Sequence, residues 1–94
     1  MDDALKTLTA RWVTLLSTPP SDPETFRSAV KTLAKDVIKH RSLRFETMAS
    51  VQVDWPGDEA SMVAETDRHN AAVKRCTTLL AEMADTLGMS SFAG

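Results

Sequence analysis

Apolar residues recur at spacings of three and four along most of the chain, and two breaks divide them into three runs. Leu5, Leu8, Trp12, Leu15 and Leu16 form the first run and share one helix face. Asp2 and Asp3 precede them, where negative charge suits a helix start. Pro19-Pro20 closes the run, because neither residue donates a backbone hydrogen bond and each biases its predecessor away from helix. A helix over about residues 2–17 is predicted.

The second run opens on Ser21, Asp22 and Pro23, two good caps and a residue suited to a first helical turn, with Ser21-x-x-Glu24 matching a capping box. Phe26, Val30, Leu33 and Val37 alternate by four and three, a coiled-coil seam. The same register continues through His40, Arg44 and Val51, so the seam turns polar midway. A neighbouring stripe of Ala34, Ile38, Phe45 and Met48 takes over the apolar content. This predicts one helix over about 22–53 with two contact faces, one for its hairpin partner and one for the first helix or a second chain.

Asp54-Trp55-Pro56-Gly57 is the second break. Pro56 disfavours helix at Trp55, Gly57 permits a left-handed turn, and Asp58 caps the third helix. The third seam runs Met62, Thr66, His69, Val73, Cys76, Leu80, Met83, Leu87, widened by Ala72 and Leu79. Gly88 is the expected stop, giving a helix over about 58–87. Folding the two long helices about Pro56 sets Phe26 near Leu87, Leu33 near Leu80 and Arg44 near His69. The expected fold is therefore all-α: a single domain over 1–94, with a short N-terminal helix and an antiparallel hairpin ~45 Å long. So long a blade has little of its own chain to cover it, and completion as an oligomeric helical bundle, a homodimer first of all, is expected.

Composition narrows the class. A 43% hydrophobic share beside 26% charged residues suits a soluble globular chain and argues against disorder, and a net charge of −2 supplies no global field for nucleic acid or an anionic membrane. The single Cys76 cannot form an internal disulfide. With an acidic Met1-Asp2-Asp3 opening and no apolar run near a membrane span, a cytoplasmic location is expected.

Little here carries chemistry. Glu65 and His69 share a helix face, but Cys76 lies two turns on, too far for the same ion, so no metal and no cofactor is expected. His40 stands between Lys39 and Arg41, a poor setting for general acid–base work. No Ser or Cys stands at helical spacing from a base and an orienting carboxylate, so the chain reads as no enzyme. Cys76 falls on the apolar seam, as a small hydrophobe would.

Arg27, Lys31, Lys35 and Lys39 repeat every fourth residue, and with Arg41 and Arg44 they place six bases against one acid, Asp36. No aromatics are interleaved and no short recognition helix comes after them, so no direct nucleic-acid contact is expected. The five acids between Asp54 and Asp67, with no bases among them, are expected to match the end of this row across the hairpin. A protein partner is the better expectation. Its candidate contact residues, shared with an oligomer interface, are Trp12, Ile38, Phe45, Met48, Trp55, Met62, Met89 and Phe92, among which methionines adapt to irregular surfaces.

Pro19-Pro20-Ser21-Asp22-Pro23-Glu24-Thr25, His40-Arg41 beyond it, and a last helix ending Leu79-Leu80 and Leu87-Gly88 resemble the TraM quorum-sensing antiactivators. The resemblance implies a small helical regulator that binds a LuxR-type transcription activator and stops it holding DNA. A second expectation, from another class, is a small helical chaperone or structural component of a phage or secretion apparatus.

Overall fold

Three helices carry the chain: α1 (Asp3–Ser17), α2 (Pro23–Asp54) and α3 (Glu59–Leu87). The structure is a computed structural model that describes residues 3–90, the side chains of 50–52 and 54 excepted. The all-α architecture and the antiparallel hairpin are as the periodicity predicts, and the helix ends fall within about a residue of their expected places.

The start of α2 differs in its chemistry. Asp22, not Ser21, is the N-cap: its carboxylate accepts from Thr25 N at 3.1 Å and Thr25 Oγ1 at 2.7 Å. The expected Ser21–Glu24 box is replaced because a carboxylate one residue nearer the helix reaches the same orphan N–H with a full charge. α3 starts alike, with Asp58 accepting from Ser61 N at 2.8 Å. Both carboxyls are held below the usual range for aspartate, Asp22 chiefly by the Thr25 hydroxyl and then its N–H, Asp58 chiefly by the Ser61 N–H and then its hydroxyl. At the far end of α3, Gly88 adopts φ 66°, its N–H bonds to Asp85 O at 3.0 Å, and Met89 N bonds to Ala84 O at 2.9 Å, a Schellman stop.

The turn between α2 and α3 also corrects one expectation. Gly57 has no left-handed φ; it is needed for space. A Cβ there would lie 2.8 Å from Ser61 Oγ and 2.9 Å from Trp55 Nε1, because the indole folds over the turn and donates to Asp58 O and Ser61 Oγ, each at 3.1 Å.

The hairpin buries Val30, Leu33 and Val37 of α2 against Cys76, Leu80, Met83 and Leu87 of α3. α1 lies along one side of this seam and adds Leu5, Leu8 and Trp12 to the same core, with Ala72 and Leu79. Of the two expected occupants of α2's second face, the first helix or a second chain, the first is present: α1 packs on the hairpin of its own chain. A short link through Pro19-Pro20 turns α1 back along α2, and its apolar face meets the ends of the hairpin that are themselves apolar. Arg11 Nη1 to Asp36 Oδ2 at 2.9 Å ties α1 to α2 at the surface.

α1 is half as long as its partners. The molecule measures 52 × 24 × 15 Å, with three helices at the base and two toward the turn. Every buried residue belongs to the base: from Ile38 to Arg68 no described residue is buried.

Candidate functional site

The expected contact residues separate by where α1 reaches. Trp12 is only 3% exposed, in the core, with its indole N–H on Glu82 Oε2 at 3.1 Å, so it leaves the set of surface candidates. Its amphipathic ring completes a core that the sequence pattern assigned only in part to α1. Ile38 is half-buried and packs at the edge of that core. Phe45 stands 51% exposed, with Met48 and Met62 half-buried on the two-helix part. Trp55 is half-buried, its N–H engaged within the turn. Met89 is exposed just past α3, and Phe92 lies outside the described residues.

Sequence reasoning missed three further residues of this arm. Leu43, Val53 and Val63 are exposed by 50%, 80% and 49%. None belongs to a seam register, which is the signal that could have found them: an apolar residue off both contact stripes of a long helix has no place in its own core.

Between base and arm lies a chain of polar contacts. Arg44 Nη1 sits 3.1 Å from His69 Nδ1, and His69 Nε2 sits 3.4 Å from Glu65 Oε1. A guanidinium only donates, so Nδ1 is the acceptor and the ring proton sits on Nε2, facing the carboxylate. Glu65 Oε2 takes Arg68 Nη2 at 3.0 Å. His69 is 2% exposed yet satisfied on both nitrogens, and it marks where the apolar seam gives way to the arm. The expected meeting of Arg44 with His69 is thus present.

The expected charge matching across the hairpin does not extend to the first four cations of the basic row. Arg27, Lys31, Lys35 and Lys39 are exposed, and among the described residues no ion pair joins them to an acid. The register explains this: with Arg44 opposite His69, the row up to Lys39 faces α3 beyond Val73, past the acidic stretch. Cys76 is buried beside Leu80, and loss of solvent pushes its thiol up, partly offset by Arg41 and Arg44.

Among the described residues no group of three or more His, Cys, Asp or Glu side chains comes together, and no helix is long and apolar enough to cross a membrane. No protein-family model matches the chain, and neither a curated protein nor a solved structure matches it.

Proposed function

We propose that this chain is a non-enzymatic regulator that works by binding protein, and that the two-helix arm is its docking surface. The supporting observation is the contrast along the hairpin. The base is closed by a third helix, whereas the arm leaves Leu43, Phe45, Val53 and Val63 exposed, with no buried residue among its described side chains. Two helices without a shared core lack the packing from which most helical stability comes, and one further helix would supply it.

The arm's charge selects the occupant. Asp58, Glu59, Glu65 and Asp67 crowd the α3 side with no base before Arg68, so the matching segment is an amphipathic helix with basic flanks. Basic helices are what a transcription activator presents to DNA phosphates. Together with the TraM-like residues around the start of α2, this favours an antiactivator that occupies such a helix in a LuxR-type activator and so keeps it off DNA.

A gel shift with a purified LuxR-type activator of the same organism on its operator tests this. Added protein should release the DNA, and Phe45→Glu/Val63→Glu should lose that effect with an unchanged circular-dichroism spectrum. An activator–DNA band that persists at excess protein, or a band with DNA and this protein alone, would overturn the reading. Sedimentation equilibrium of the protein alone covers the competing occupant: a tight dimer that Val63→Glu splits would put a second copy on the arm instead.

A further inference from the structure

Lys31 and Lys35 stand in the base half of α2 with no acid within helical reach. Apart from each other, their neighbours three and four residues away are Arg27, Ser28, Thr32, Ala34, Ile38 and Lys39. The nearest acid, Asp36, is three residues from Lys39 yet accepts from Arg11 of α1 at 2.9 Å instead. Arg27, Lys31, Lys35 and Lys39 are all exposed, and among the described residues none of them is in an ion pair. Like charges four apart on a helix repel, so the row weakens α2 in the free protein. The core does not require it, because α2 buries a different face, that of Val30, Leu33, Ala34 and Val37.

The four cations rise about 6 Å per step and span about 18 Å of helix. An acidic helix with a carboxylate at every fourth residue presents the same step. Two such rows come into register where helices cross at about −50°, the commonest packing angle in globular proteins. The row is also bounded. Glu24 precedes it and Glu46 follows it, both exposed and on the same face by helical period, so a longer polyanion would meet like charge at each end. Duplex phosphates follow one another at about 3.4 Å along each strand and continue past both acids. An anionic membrane is wider still, and Ser28 and Thr32, exposed beside the row, give it no apolar side chain to take up.

We propose that the basic row of α2 docks a short acidic helix of a protein partner, whose carboxylates, four residues apart, meet Arg27, Lys31, Lys35 and Lys39 in turn. The surface lies outside the arm's apolar residues, and the proposal does not rest on the arm's role.

An NMR titration of the full chain at low salt tests it. The probes are an alanine-based peptide of about 16 residues with glutamate at every fourth position, a peptide of equal composition with its glutamates clustered at one end, a duplex DNA of similar length, and phosphatidylserine vesicles. The periodic peptide should give saturable shifts centred on the amides of residues 27–39 and bind about tenfold tighter than the clustered one. Lys31→Glu/Lys35→Glu should abolish this binding. The new carboxylates stand four residues from Arg27 and Lys39, so α2 and the circular-dichroism spectrum are retained. A periodic peptide with lysine in place of glutamate should then bind the variant. Equal affinity for the two acidic peptides, shifts that fail to saturate or centre elsewhere, or tighter binding of the duplex or the vesicles would overturn the proposal. So would self-association of the protein alone that Lys31→Glu/Lys35→Glu removes, which would put a second copy on the row.

Discussion

The indole N–H of Trp12 donates to the carboxylate of Glu82 at 3.1 Å, joining α1 to α3 across 70 residues of sequence. The ring itself is buried between the helices, so two effects are superposed in one side chain. Trp12→Phe removes the hydrogen bond and leaves Glu82, an exposed residue, to water; the loss should be about 1 kcal/mol. Trp12→Ala removes the ring and should cost about 3–5 kcal/mol in urea unfolding. Equal losses would mean that the bond, not the packing, holds α1 on the hairpin.

Leucine truncations should separate base from arm. Leu33 and Leu80 are 2% and 0% exposed, and each Leu→Ala change there should cost about 2–5 kcal/mol. Leu43→Ala, at a residue 50% exposed, should stay within about 0.5 kcal/mol of the parent. A large loss at Leu43 in the isolated protein would show that the arm is already packed.

Acid should loosen the helix starts. The folded-state pKa values of Asp22 and Asp58 lie below the ordinary aspartate value of 3.8, so their ionised forms stabilise the fold fully above that pH. The stabilisation is lost as pH falls through the folded values, where the caps take up protons. Thermal unfolding followed downward from about pH 5 should fall less steeply in Asp22→Asn/Asp58→Asn than in the parent, with the two converging in strong acid. Parallel curves would remove the caps from the acid response.

Cys76 should resist modification. Its thiol is fully buried and burial pushes its ionisation upward, so a disulfide reagent at about pH 8 should label the native protein far more slowly than the urea-unfolded chain. Fast native labelling would mean that α2 and α3 part readily at the base.

Gly57→Ala should destabilise the turn although no left-handed backbone is involved. The added Cβ meets Ser61 Oγ and Trp55 Nε1, and the indole must swing out, which changes Trp55 fluorescence. Adding Ser61→Ala should recover only part of the loss, since the indole contact remains.

Spacing made the helices, their ends and the hairpin register legible, because each rests on residues near in sequence: prolines, caps and a four–three repeat. Arg44 could be set against His69 from the position of Pro56 alone. The docking of α1 was legible only in part. Its apolar face was plain, but whether Trp12 met its own hairpin or another chain depended on the direction in which the Pro19-Pro20 link turns. The role of Gly57 was not legible, because glycine suits both a left-handed turn and a crowded one, and only the indole's position distinguishes them.

The uneven core has a consequence for how the chain folds. A helical hairpin can ordinarily zip from its turn outward, each new contact rewarding a small closure. Here the buried residues nearest the turn are Val37 on α2 and His69 on α3, and among the described residues the stretch between them buries nothing that would reward early closure. The ends of α2 and α3 must find each other across that whole loop, and α1 must then reach α3 across 70 residues at Trp12 and Glu82. Folding should therefore be slower than the helical content suggests, with a transition state centred on Val30, Leu33 and Leu80 and an arm that orders last.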